Sequence, residues 1–423
     1  MELCIQDPSY NNSKYLHESL LAAFDVALEG GGAYAFATSD GIELLLCDDS
    51  FKKFIENGKF QLIVGMDDIT NRKALETLKE LQARYPDRLS VKAYVHKKHG
   101  STFHPKYSWF KTNDGGLLII GSGNLTQQGL RQNREAYSII TCDRQTFNAM
   151  IEGWKKWVEH SAPFLFDVDD EKVLYLASQN KKKTTAIAEA KRTVREEAKM
   201  AGEPSLAELF ANQPRDTHMP IRRSGQAGSS EHTQQATKQP LSAPRTAQIG
   251  AGPSIHEDEN PDDEYWMIDQ ESSILIAEIP KSGNRWKQAN FDKKTFEQYF
   301  GATCGENGEY RILLKNIDHN GQLGKTEVRP SVSVSSQNYR FELDAASGLD
   351  YPNEGKRPIC IFAKVSQRDF LYELIMPNNS EYAAVLAVLN EKEPVSVKMR
   401  RLTFNVDELL EKAPNLGVWK RIE

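Results

Sequence analysis

Between about Gln213 and Asp262 the sequence holds almost nothing that a core could bury. Gln, Ser, Thr, Pro, Gly and charged residues dominate the stretch. A segment of that composition cannot offset the entropy of ordering with buried apolar surface, so it is expected to act as a flexible linker, or as a docking segment for a partner. The 423-residue chain must therefore build its cores on either side of it. Ahead of the linker, Lys181–Met200 is rich in Ala, Glu, Lys and Arg and reads as a solvated helix, with Leu206–Phe210 as a short continuation. The expected organisation is a first domain over 1–178, a helical then flexible connector over 179–262, and a second domain over 263–423.

Residues 1–178 read as an α/β domain. Ala33–Thr38 and Phe60–Gly65 resemble short buried strands, and Asn71–Tyr85 carries Ala74, Leu75, Leu78 and Leu81 at helical spacing. Leu89–Val95 alternates as a strand. Thr102–Phe110, Leu117–Gly121 and Glu135–Thr141 follow as three more strands, and Phe147–His160 as a helix with Met150, Ile151, Trp154 and Trp157 on one face. Strands alternating with helices predict a sheet covered on both faces. Beyond residue 263 the pattern changes to many short strands: Ser273–Ile279, Arg311–Leu314, Val328–Val334, Arg340–Leu343, Pro358–Val365 and Phe370–Met376. Only Phe291–Phe300 and Glu381–Asn390 read as helical there, which predicts an open β-barrel-like domain.

Composition excludes some classes of function. No apolar run approaches the ~18 residues of a spanning helix. Met1-Glu2-Leu3-Cys4 shows no basic segment leading into an apolar stretch, so a secretory leader is not expected. The five cysteines, Cys4, Cys47, Cys142, Cys304 and Cys360, have no metal-knuckle or disulfide spacing and fit a reducing cytoplasm. The formal charge of −6 weighs against a nucleic-acid binder only as an average over parts with different tasks.

The chemistry lies in His104-Pro105-Lys106, Gly121-Ser122-Gly123-Asn124 and Glu135. Residues two apart on a strand share a face, so His104 and Lys106 project together. An imidazole can attack phosphorus while an ammonium holds the non-bridging oxygens. Ser122 and Asn124 end the next apolar strand with a hydroxyl and an amide, among glycines that permit close approach of a phosphate. Glu135 is expected to orient the imidazole and favour its charged form. Alone, a His-x-Lys pair is usually surface decoration and Gly-Ser-Gly-Asn usually a turn. Adjacent in strand order, they specify much more. His96-Lys97-Lys98-His99 also contains a His-x-Lys, but without its own Gly-Ser-x-Asn it reads as a basic loop near a bound phosphate.

This arrangement resembles the phospholipase D superfamily over about residues 30–165. The Asp that the superfamily carries five residues after its Lys falls here on Lys111, and Asp114 is off register. The missing Asp, with Glu135 after the Asn, resembles the nuclease branch and in particular the BfiI/NgoFVII-type restriction endonucleases. The resemblance implies a phospholipase D-like α/β sandwich and metal-independent cleavage through a phosphohistidine on His104. It also implies a homodimer joined through the nuclease domain, in which the second copy's His104 protonates the leaving oxygen. Some members of that family work with a separate ATPase or helicase-like subunit. No Walker A sequence occurs here, so any ATP use would come from another chain.

In the second domain, Lys281, Asn284, Arg285, Trp286, Lys287, Gln288 and Asn290 form a basic, amide-rich run. Arg, Asn and Gln read base edges by paired hydrogen bonds, and lysines anchor phosphates. Gln337, Asn338 and Arg340 are candidates for an opposing arm. A solvated loop that happens to be basic is the plain alternative. The run resembles the reading arms of the B3-like DNA-recognition domain found behind the nuclease in the same restriction family, which implies double-stranded DNA as the partner. The expectation is a cytoplasmic, restriction-type endonuclease with no membrane partner. Its rivals are a phospholipid phosphodiesterase, which would favour two motif copies, and a catalytically silent DNA-binding protein.

Overall fold

Three consecutive glycines, Gly30, Gly31 and Gly32, sit in a central strand of the first sheet, Glu29–Tyr34 (β2). Glycine usually weakens a strand, but here its neighbours require it. A Cβ on Gly31 would lie 2.7 Å from Trp109 Cζ2, and one on Gly32 would lie 2.6 Å from Ser108 Oγ. Both neighbours belong to Lys106–Lys111 (β5), which pairs antiparallel with β2. The sequence placed this strand at Ala33–Thr38, because a glycine run reads as punctuation; the structure starts it at Glu29.

In the computed structural model the described residues are 1–10, 13–97, 100–204, 209, 263, 265–269, 272–280, 286–302, 310–331, 339–352, 355–393 and 399–422. The other strands of the first sheet are Glu2–Gln6 (β1), Phe60–Gly65 (β3), Leu89–Tyr94 (β4), Gly115–Gly121 (β6), Glu135–Asp143 (β7) and Leu165–Phe166 (β8). Their order is β1-β7-β6-β5-β2-β3-β4-β8, with only β2–β3 and β3–β4 parallel. Successive residues of β5 point to opposite faces. Trp109 packs on Phe147 and Trp154 of Arg144–His160 (α5), whereas Phe110 meets Phe24 of Leu16–Val26 (α1) edge-on at 5.2 Å. Both faces are thus covered by helices. Arg72–Arg84 (α4) starts where Asn71 Oδ1 accepts from Ala74 N, an N-cap that satisfies one orphan donor.

The helix expected over Lys181–Met200 begins earlier, as Glu171–Met200 (α6). Its buried Asn180 donates to Met66 O and Thr70 O, both at 3.0 Å, so its first turns belong to the N-terminal core. The linker expected from Gln213 to Asp262 lies outside the described residues. No described helix is long and apolar enough to cross a membrane.

The C-terminal strands are Ser273–Glu278 (β9), Gln288–Phe291 (β10), Arg311–Ile317 (β11), Leu323–Pro330 (β12), Tyr339–Glu342 (β13), Ile359–Lys364 (β14), Asp369–Ile375 (β15) and Arg401–Asn405 (β16). Six of them form an open sheet in the order β12-β11-β15-β14-β9-β16, and among the described residues β10 pairs only with β13. The expected barrel-like closure is not found among the described residues. Instead the ribbon β10–β13 packs on the sheet through Phe291, Phe300, Phe341 and Phe362, whose rings lie 4.8–5.7 Å apart. The two bodies are in contact. Arg311 on β11 makes a two-pronged bond to Asp48, ahead of the helix Asp49–Ile55, at 2.8 and 3.0 Å.

Candidate active site

β5 enters the sheet with Lys106 opposite Tyr34, and its pairing with β6 sets Tyr107 against Ile120. One further step of that register brings Lys106 level with Gly121. β6 continues the relation to β7, where Gly121 faces Tyr137, and Ser122 N donates to Ala136 O at 3.0 Å. Antiparallel pairing of three strands thus brings residues near 104–106, 121–124 and 135 to one end of the sheet. Ala35 N donates to Pro105 O, so the backbone stays in register just ahead of β5, although Thr102–Pro105 are not strand as expected.

His104 is exposed and Lys106 is buried. Lys106 Nζ lies 3.0 Å from both His104 Nδ1 and Nε2, and 3.3 Å from His104 O. Phe36 faces the imidazole edge-on, with ring centroids 6.0 Å apart, and limits its swing. Burial lowers the Lys106 pKa from its ordinary value, and the Glu135 carboxylate opposes that effect. Ser122 Oγ donates to Glu135 Oε2 and accepts from Ala136 N at 3.1 Å, while Asn133 Nδ2 donates to Glu135 Oε1 at 3.0 Å. Asn124 Oδ1 accepts from Phe36 N at 3.3 Å, which turns the amide NH2 outward as a donor.

All five sequence candidates, His104, Lys106, Ser122, Asn124 and Glu135, meet at this end of the sheet. The role expected for Glu135 differs in one respect. Its carboxylate is engaged by Ser122 and Asn133, and among the described residues no hydrogen bond joins it to His104. In a single chain Glu135 therefore holds the Ser122 turn and offsets the Lys106 charge. Lys111 lies five residues further along β5, about 16 Å away at the rise of a strand, too far to act on the same phosphate.

Beside His104 lies a cavity of about 510 Å³ lined by Asp67, Asp68, His96, Lys97, Ser101 and Thr102. Asp67 lies 3.3 Å from His96 Nε2 and accepts Phe103 N at 2.7 Å, which ties the basic loop to the residue before His104. Sequence reasoning missed Asp67; an acidic pair just past a buried strand was the available signal. Lys98 and His99 lie outside the described residues. Among the described residues no three His, Cys, Asp or Glu side chains gather as metal ligands.

In the C-terminal body, Asn290 faces Arg340 and Gln288 faces Glu342 across the ribbon. Ala289, Phe291, Tyr339 and Phe341 alternate inward, leaving Gln288, Asn290 and Arg340 on the other face. The two polar runs that sequence proposed as opposing arms therefore pair at their bases. Lys287 is exposed, and Gln288 Nε2 donates to Glu342 Oε1 at 3.1 Å. Trp286 is a correction: it is buried and packs edge-on against Tyr351 at 5.6 Å, so the indole serves the core rather than a reading arm. Lys281, Asn284, Arg285, Gln337 and Asn338 lie outside the described residues.

No protein-family model and no curated protein matches this sequence. Among solved structures, NucT from Helicobacter pylori is 18% identical with a TM-score of 0.29, over 39% of this chain and 97% of its own. Nuc, a phospholipase D family member from Salmonella typhimurium, is 15% identical with a TM-score of 0.29, over 39% of this chain and 95% of its own. The N-terminal domain of Helicobacter pylori LlaJI.R1 is 14% identical with a TM-score of 0.24, over 31% of this chain and 97% of its own. At these values the similarity assigns no activity, and the side chains at the end of the sheet carry the case.

Proposed function

We propose that this chain is a restriction-type endonuclease that hydrolyses DNA phosphodiester bonds at or near a specific sequence, through a phosphohistidine on His104. The observation that carries the reading is the exposed imidazole of His104, with the Lys106 ammonium 3.0 Å from both of its nitrogens. Equal distances to both nitrogens place the ammonium over the ring face rather than on either in-plane lone pair, so a ring nitrogen stays open to phosphorus. An incoming phosphate draws the ammonium to its non-bridging oxygens as that nitrogen attacks. The P–O bond to the leaving group breaks as the P–N bond forms. One motif per chain supplies one histidine, so the proton for the leaving oxygen comes from His104 of a second copy in a homodimer. That imidazole then accepts a proton from water, which attacks phosphorus and releases His104.

The outward face of the β10–β13 ribbon supports a reading role in the C-terminal body. A two-stranded ribbon fits the major groove, and Gln288, Asn290 and Arg340 are base-reading side-chain types. A separate ATPase or helicase-like chain remains part of the proposal as a partner. The test is plasmid cleavage in excess EDTA, wild type beside His104→Ala, with and without ATP and host extract. Discrete fragments from wild type alone support the reading. Abolition by chelator refutes the metal-independent chemistry. Silence under every condition favours a DNA-binding protein without catalysis.

A further inference from the structure

Arg131 lies on the turn Gln128–Gln132 that follows Asn124, and its side chain is wholly buried. An isolated buried guanidinium is very costly, so its partners matter. Nη2 donates to Arg311 O and to Asp369 Oδ1, both at 3.0 Å. Nη1 lies 3.5 Å from Glu18 Oε1, and the group sits 4.5 Å from the Tyr15 ring centroid. Asp369 also accepts from Tyr265 Oη at 2.8 Å. Arg311, Asp369 and Tyr265 all belong to the C-terminal body. The N-terminal body thus sets a charged side chain between its own Glu18 and Tyr15 and the starts of β11 and β15.

The other end of this contact reaches the candidate active site. Gly129 presses against Asn124 so closely that a Cβ there would lie 2.5 Å from Asn124 N and 2.7 Å from Asn124 O. Gln6 Nε2 binds Gly129 O at 3.2 Å and Asn133 O at 2.9 Å, and Asn133 Nδ2 reaches Glu135. Packed or bonded groups therefore run without a gap from Asp369 to Asn124 and Glu135. The turn between them is π-helical, a rare geometry that recurs at functional sites.

We propose that Arg131 is a positioning residue, and that the segment Asn124–Glu135 takes its working geometry only while the C-terminal domain holds this guanidinium. The inference rests on the nuclease reading, and it makes cleavage depend on the docked second domain even where sequence recognition is not required. Arg131→Lys and Asp369→Asn in the full chain test it, by single-turnover cleavage at saturating protein and by amide exchange over residues 122–136. A small displacement of positioned groups can slow chemistry by about 100-fold, so a 10- to 100-fold lower rate constant is expected. DNA affinity should stay within twofold and the segment's amides should exchange faster. A purely structural role would lower the amplitude of the cleavage phase and leave its rate constant unchanged, which overturns the proposal. An unchanged rate constant in Asp369→Asn with intact amplitude overturns it as well, even if Arg131→Lys fails to fold. If wild type does not cut, the nuclease reading fails first. Exchange then decides alone: unaltered amides at 122–136 remove the clamp, and faster ones keep it.

Discussion

Replacing Gly129 by alanine tests how tightly the turn beside the candidate site is held. The backbone at Gly129 is not left-handed, so the obstacle is contact rather than torsion. The new methyl would stand 2.5 Å from Asn124 N, whereas ordinary contact begins near 3.4 Å, so the two segments must part by about 0.9 Å. Neither atom belongs to a flexible side chain. Overpacking of this kind costs roughly 1–3 kcal/mol, offset by about 0.4–1 kcal/mol from the stiffer unfolded chain. The net loss of stability should be about 1–2 kcal/mol, while a displacement near 1 Å at a catalytic amide costs about 100-fold in rate. Stability and chemistry should therefore separate. Denaturant midpoints would shift modestly while single-turnover cleavage in EDTA falls by roughly two orders of magnitude. A folded Gly129→Ala protein that cleaves within twofold of wild type would show that this packing does not place Asn124.

Three further outcomes are expected. Lys106→Met should lower the cleavage rate by about 100- to 1,000-fold, the usual loss when a donor to developing phosphate charge is removed; a rate within tenfold of wild type would take Lys106 out of the site. Asp48→Asn leaves Arg311 buried without its counter-charge and should cost about 3–5 kcal/mol by denaturant titration. Burial raises the Asp48 carboxyl, but the Arg311 bonds outweigh it and hold it below its ordinary value of 3.8, so the pair's stability is present above that pH and lost as pH falls through the folded value. Glu373 behaves oppositely: burial pushes it up to about 7 against the backbone donors Val418 and Gly417, so stability falls as pH rises from about 4.5 to 7, by at most about 3 kcal/mol. Glu373→Gln should flatten that slope in a pH series of unfolding curves, and an unaltered slope would place the titration elsewhere.

Local signals made the strands that carry the candidate site legible. β3 falls on Phe60–Gly65 as the apolar run indicated, and α4 spans Arg72–Arg84, one residue inside each end of the helix expected over Asn71–Tyr85. The motif residues converge because strand pairing turns sequence order into neighbourhood. No element was expected ahead of Ala33, yet the chain forms β1 and α1 there. On α1 the buried face includes His17, beside the partly buried Glu18, whose partners Arg131 and Arg368 lie far along the chain. An amphipathic reading fails where polar side chains are buried against distant charge. Trp286 shows the converse difficulty: its place in a basic, amide-rich run grouped it with the reading residues, and only the ring of Tyr351 reveals that it is core. Arg131 was invisible for the same reason, since its partner Asp369 is 238 residues away.

These buried pairs also bear on the charge argument. A formal charge of −6 counts every ionised side chain equally. Yet Arg131, Arg311 and Arg368 are spent on Glu18, Asp48 and Asp369 inside the contact between the two bodies. Such groups project almost no field to solvent and neither attract nor repel a polyanion at long range. What solvent meets is the exposed remainder, and near the site and on the ribbon His104, Lys287 and Arg340 stand at the surface. The three cations and three anions of these pairs cancel, so the formal charge of −6 sits on the remaining side chains, and any basic face is a local one. The same pairs give the interface its specificity, because separating the two bodies would strip Arg131 of Asp369, Arg368 of Glu18 and Arg311 of Asp48. A contact built this way holds the second domain in one orientation relative to the Asn124 turn, which a purely apolar interface of equal size would not require.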